Sequence, residues 1–181
     1  MGVRVECSGL DNIPDHQQIL LLSNHQSNID IPVLIAVTPI LFGFLAKQEL
    51  MKVYILRIWI KALGSVYIKR QSRRSTWEAF EKTIEKAENA HPMLIFPEGT
   101  RSKKQEPNAF HLGFLRYLSP KISIVPVSIS GSYLCYEAEN RFKPGRVKVH
   151  FHPPVHLESE DKTKVKDFAQ KIETRMTSKF R

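Results

Sequence analysis

Apolar residues along this chain fall into two patterns, short runs that are either unbroken or alternate with polar residues and stripes at helical spacing, and the two patterns alternate. The runs cover 3–7, 19–22, 41–45, 65–68, 93–96, 122–127 and 147–151. Runs this short suit strands, several of them buried on both faces, better than helices. Between them, Trp77, Phe80, Ile84 and Ala87 recur at steps of three and four, and Ser75-Thr76-Trp77-Glu78 at their start has the form of a capping box. Near the C-terminus Val165, Phe168, Ile172 and Met176 repeat the same spacing. Both stripes predict helices docked on a sheet rather than binding surfaces. With no internal repeat and no clear linker, the pattern predicts one α/β domain over 1–181, a mixed and mostly parallel sheet flanked by helices. Such sheets gather the loops at the carboxyl ends of their strands into one crevice.

The polar residues that follow two of the runs carry candidate chemistry. After 19–22 comes Asn24-His25-Gln26-Ser27-Asn28-Ile29-Asp30. On one unbroken helix, residues five apart point roughly 140° away from each other, so His25 and Asp30 meet only if the chain turns between them. A strand, a turn and a helix that begins near Asp30 achieve this, and Pro32 is tolerated in that helix's first turn. An acid against an imidazole fixes its tautomer and stabilises its charged form, as a general base requires. The plainer alternative is that Asn28 or Asp30 caps the helix and His25 is an ordinary turn residue. After 93–96 comes Pro97-Glu98-Gly99-Thr100-Arg101-Ser102. Gly99 allows close backbone approach, Thr100 and Ser102 offer hydroxyls, and Arg101 offers a planar fork for an oxyanion. Glu98 is placed to hold that arginine or a substrate hydroxyl. The alternative here is a solvated turn in which Glu98 and Arg101 pair with each other.

Together these segments make the chain resemble the family of glycerolipid acyltransferases, whose motifs occur here as four blocks in order. They are His25 to Asp30, then Gly64-Ser65-Val66-Tyr67-Ile68-Lys69-Arg70, then Phe96 through Ser102, then Ile124-Val125-Pro126-Val127. The first and third blocks are specific as a pair; the second and fourth are weak alone, since Arg70 can be a charged strand end and Pro126 an edge or bulge. The resemblance implies that His25 deprotonates an acceptor hydroxyl and that Asp30 orients it. It implies further that Arg70, Glu98, Gly99, Thr100 and Arg101 bind the phosphate and glycerol part of the acceptor, and that Pro126 borders the acyl-donor site. The implied reaction moves a fatty acyl group from a thioester to a lysophospholipid, 1-acyl-glycerol-3-phosphate first among the candidates, and forms phosphatidic acid. Glycerol-3-phosphate or another lysolipid is the alternative acceptor. A non-catalytic lipid- or anion-binding protein is the reading from a different class, and an intact His25 and Asp30 argue against it. With no Gly-x-Ser-x-Gly elbow in the chain, direct attack on the thioester is the simpler mechanism. It needs no metal or prosthetic group; acyl-CoA or an acyl carrier protein is a co-substrate. Two departures bear on the acceptor: Phe110-His111-Leu112-Gly113 has histidine where many members have lysine, and the proline usually found after Ala46-Lys47-Gln48-Glu49-Leu50 is replaced by the run around Tyr54.

Charge and composition narrow the partners. A formal charge of +9 in 181 residues points to an anionic partner. No nucleic-acid motif is present, whereas 47–61 interleaves Lys52, Arg57 and Lys61 with Met51, Tyr54, Ile55, Ile58, Trp59 and Ile60. That mixture suits an anionic membrane surface, with a buried helix carrying a charged edge as the alternative. The uncharged stretch 31–46 is interrupted by Pro32, Pro39 and Gly43 and falls short of the roughly 20 residues a span needs. The expectation is attachment at the cytoplasmic face of a membrane, peripheral or through an anchor preceding the 24 residues before His25. No signal peptide is evident. Cys7 and Cys135 cannot form a disulfide framework and are expected to stay reduced. His150, His152 and His156 suggest a metal site at first sight, but Pro153 and Pro154 separate His156 from the other two and no acid or cysteine stands at ligand spacing, so none is expected.

Overall fold

The computed structural model describes residues 2–16, 18–69, 72–157 and 165–178. Among these residues, seven strands occur where seven apolar runs stand: β1 Val3–Ser8, β2 Ile19–Ser23, β3 Gly43–Lys47, β4 Val66–Ile68, β5 Met93–Ile95, β6 Ser123–Ser130 and β7 Gly145–Phe151. The α-helices among them are α1 Asp30–Val37, α2 Tyr54–Ala62, α3 Arg73–Glu88, a four-residue α4 Ser132–Cys135 and α5 Val165–Thr177. All seven strands form one sheet in the order β1-β7-β6-β2-β5-β3-β4. Pairing is parallel throughout except between β6 and β7.

Burial explains the unbroken runs. Leu20 and Leu22 of β2, Met93 and Ile95 of β5 and Ile124 of β6 pack on one face with Ile84, Ala87, Phe168, Ile172 and Met176. Ile19, Leu21, Leu94, Val125 and Val127 pack on the other with Val33, Leu34 and Phe42. A central strand covered on both faces has no polar side to show, and each fully buried leucine or isoleucine contributes about 1.5–3 kcal/mol of hydrophobic stabilisation. Trp77 and Phe80 are half-buried against the first cluster, so the predicted α3 stripe does face the core. Its start differs from the expectation. Ser72, three residues ahead of Ser75, is the cap, its hydroxyl accepting the Ser75 N–H at 3.1 Å; Ser75 lies inside the first turn and bonds back to the Lys69 carbonyl.

Strand order decides what meets at the crevice. The parallel neighbours β6, β2 and β5 end side by side, so the chain leaving each emerges at the same sheet edge. Pro126 lies inside β6, buried and paired with Leu22. It sits where the β6–β7 ladder stops at Val127↔Phe151 and pairing resumes one residue out of register at Ile124↔Val155. A residue without an N–H is tolerated there because it accepts from His152 N–H at 2.9 Å but has no bond to return.

Candidate active site

The turn between β2 and α1 holds one histidine by its main chain, its Nδ1 and its ring face. Asn24, just past β2, donates its amide to the Ile129 carbonyl at 2.9 Å and accepts the Ile129 N–H at 2.7 Å, which fastens the turn to β6. At the other end Asp30 directs Oδ2 backwards. That oxygen accepts the Gln26 N–H at 2.7 Å, the Ser27 N–H at 2.9 Å and His25 Nδ1–H at 2.8 Å. Asp30 thus organises the turn rather than capping the helix. With Nδ1–H donated to a carboxylate, the lone pair of His25 lies on Nε2. The ring stacks on Phe96 with centroids 4.0 Å apart and planes 15° from parallel. Asp30 Oδ1 is buried and, among the described residues, has no hydrogen-bond partner.

Glu98 ties this turn to the loop after β5. Its Oε1 accepts the His25 N–H and its Oε2 the Asn108 N–H, each at 2.7 Å. The Ser102 N–H adds a second tie, to the His25 carbonyl at 2.7 Å. Burial pushes the Glu98 carboxyl above its usual range, against the downward pull of those two backbone donors. Both of its oxygens being engaged by main chain, Glu98 does not pair with Arg101, contrary to the plainer alternative for this loop. Gly99 has φ 66°, the left-handed region that favours glycine, and its N–H closes a turn on the Phe96 carbonyl. Nothing lies within 4 Å of where its Cβ would stand. Gly99 and Thr100 are exposed, so bare backbone and a hydroxyl face solvent beside the histidine's loop.

Arg101 Nη1 donates to Glu137 at 2.6 Å. Glu137 follows α4 in the β6–β7 connection and was not singled out from the sequence, where nothing distinguishes it from Glu139 two residues on. Arg70 lies outside the described residues; β4, the strand leading to it, is three positions from β2, about 14 Å at the usual strand spacing. Pro126 is buried in the sheet. His25, Asp30, Glu98, Gly99, Thr100 and Arg101 are therefore brought together, with Glu137 added by the fold. His150 and His152 meet edge to face and bond to the hydroxyls of Ser8 and Ser128. A cavity of about 750 Å³, lined in part by Ser65, Tyr67, Lys82, Lys86 and His91, lies at the opposite, amino-terminal ends of β4 and β5 and contains none of these residues.

A second surface differs in kind. In α2 only Ile60 is buried. Val53, Tyr54, Ile55, Leu56, Ile58 and Trp59 are exposed, Ile55 by 68% and Trp59 by 61%. The buried-helix alternative for this segment does not hold. Lys52, Arg57 and Lys61 are exposed among them, and the Arg57 guanidinium lies 5.3 Å over the Tyr54 ring. Among the described residues no helix is long and apolar enough to cross a membrane.

Comparison with known proteins places this geometry. The model of the family described as Acyltransferase matches residues 4–130. The chain is 28% identical over 156 residues to 1-acyl-sn-glycerol-3-phosphate acyltransferase from Borreliella burgdorferi, covering 85% of this chain and 62% of that protein. It is 30% identical over 185 residues to the protein of the same name from Saccharomyces cerevisiae, covering 97% of this chain and 59% of the relative. The chain thus spans about three fifths of the length of these two relatives. The crystal structure of the 1-acyl-sn-glycerophosphate (LPA) acyltransferase PlsC from Thermotoga maritima superimposes with a TM-score of 0.79 at 30% identity, covering 99% of this chain and 70% of that one.

Proposed function

Since the chain belongs to the acyltransferase family, we propose that it is an O-acyltransferase that esterifies the free hydroxyl of 1-acyl-sn-glycerol-3-phosphate from an acyl thioester, forming phosphatidic acid. The observation that carries this reading is the 2.8 Å bond from His25 Nδ1 to Asp30, which leaves Nε2 as a positioned base beside a loop bearing Arg101. In the reaction the acceptor hydroxyl oxygen attacks the thioester carbonyl carbon while Nε2 takes its proton. The tetrahedral intermediate then collapses, the C–S bond breaks, and the thiolate leaves with the proton returned from the imidazolium. The products are one ester and one thiol, so atoms and charge balance. Arg101, the Gly99 backbone and Thr100 receive the acceptor's phosphate, with Arg70 as a further cation. The names of the relatives support this acceptor.

The site of work in this reading is the cytoplasmic face of a membrane, where the lysolipid resides. The exposed apolar residues of α2 and their interspersed cations support it. Incubation with a panel of lysolipids and glycerol-3-phosphate, each with acyl-CoA and with acylated carrier protein, tests the proposal by product mass. A product mass equal to phosphatidic acid is expected. Acylation of phosphate-free lysolipids alone would overturn the acceptor assignment, and no acylation of any acceptor would overturn the activity.

A further inference from the structure

One oxygen of Glu137 is shared by three donors from two motif loops. Oε1 accepts Arg101 Nη1–H at 2.6 Å, the Asn28 N–H at 3.0 Å and the Ser27 hydroxyl at 3.5 Å. Ser27 and Asn28 belong to the turn that carries His25; Arg101 belongs to the loop after β5. The glutamate side chain is 5% exposed and the arginine 27%. A guanidinium has five N–H donors; Arg101 commits Nη1 to Glu137, and the exposed part of its side chain is what an oxyanion can reach.

Resting on the phosphate-bearing acceptor proposed above, we infer that Glu137 is a positioning residue that aims Arg101 and sets the separation between its fork and His25 Nε2. Through that separation it selects acceptors whose phosphate and reacting hydroxyl lie correspondingly far apart. A carboxylate so deeply buried is costly to expose and is held by two donors besides the arginine, so it fixes the guanidinium rather than following it. The arginine's rotamer entropy is then lost on folding instead of on substrate binding, which favours the bound state. Glu139 provides the contrast. It is 47% exposed and pairs with Arg141 and Lys143 of its own loop, so it touches neither motif.

The test is acyl transfer by the parent, Glu137→Ala, Glu137→Gln and Arg101→Ala, with a phosphate-bearing lysolipid and a phosphate-free monoacylglycerol, titrating acceptor and thioester separately. Glu137→Ala is expected to raise KM for the phosphate-bearing acceptor about tenfold and KM for monoacylglycerol by less than about threefold, with the thioester KM within about twofold. Glu137→Gln keeps an accepting oxygen without the charge, so its KM should rise only about threefold; it also decides the question if the alanine variant does not fold. In an Arg101→Ala background, Glu137→Ala should add less than about twofold, because the two residues act as one unit. A parent-like acceptor KM in every Glu137 variant that folds overturns the inference and leaves the acceptor assignment standing. A lowered KM does the same, by making Glu137 a competitor of phosphate. Equal use of both acceptors by the parent overturns the acceptor assignment, and this inference falls with it.

Discussion

The turn at 24–30 and the helix Tyr54–Ala62 are of similar length and are held in opposite ways. In the turn, His25 has its N–H, its carbonyl, Nδ1 and its ring face each committed to a different partner. In α2, one residue of nine is buried, and large apolar side chains stand in solvent. Under the proposed function the difference matches what each region would do. Proton transfer needs a base placed within a fraction of an ångström. Adsorption on a lipid surface needs only apolar area and cations, supplied in any of many orientations. Substitutions in the turn should therefore change chemistry or stability, and substitutions in α2 should change neither while altering attachment.

The sharpest test of that contrast is His25→Ala, which should lower acyl transfer by about 10²- to 10⁴-fold with an unchanged circular dichroism spectrum. A rate within a few-fold of the parent would remove His25 as the base. Asp30→Asn comes next. It takes away the charge that orders His25 and weakens an oxygen that serves three donors, so it should impair the rate and also cost about 1–3 kcal/mol of stability, measured by urea unfolding. Parent-like stability would mean that Asp30 matters to the histidine alone.

Glu98 tests the turn through pH. Its carboxyl is pushed up by burial, so the folded state holds this proton more tightly than the unfolded state does. The associated stability is fully present below the ordinary glutamate range and is lost as pH rises through the elevated folded value. In parallel urea melts of the parent and Glu98→Gln, the parent should lose stability relative to the variant as pH rises through that window. The opposite slope would mean that the two backbone donors outweigh desolvation.

The smallest expected effects on the fold belong to α2. Ile58→Ser with Trp59→Ser should leave unfolding stability within about 0.5 kcal/mol and turnover of short-chain soluble substrates unchanged. Sedimentation with vesicles should nevertheless fall. Binding by the parent should rise with anionic lipid, at about 1 kcal/mol per nearby cation, and weaken in part with salt. Equal binding to neutral and anionic vesicles, or no effect of the two serines, would move attachment elsewhere in the protein.

Much of this was legible in the chain because the relevant physics is local. Strand runs and helix stripes report burial at neighbouring positions, so seven strands and the core faces of α3 and α5 followed from spacing alone. Their ends were less legible. The run at 41–45 became Gly43–Lys47, and α3 began a turn early on Ser72, because an edge or a cap is decided by hydrogen bonds that several serines could make. The meeting of His25 with Asp30 was likewise local, fixed by a five-residue step that only a turn can close. The pairing of distant polar groups was not. That Glu98 accepts the His25 N–H rather than pairing with Arg101 follows from β2 lying beside β5, and the β6–β7 connection supplies Arg101's partner because β6 lies on the other side of β2; that the partner is Glu137 and not Glu139 is decided by the path of that connection after α4. Strand order is a property of the whole chain, and it assigns neighbours to side chains whose local sequences are alike. The exposure of α2 was settled the same way: its apolar residues suited a buried helix and a surface helix equally, until the sheet was covered without them.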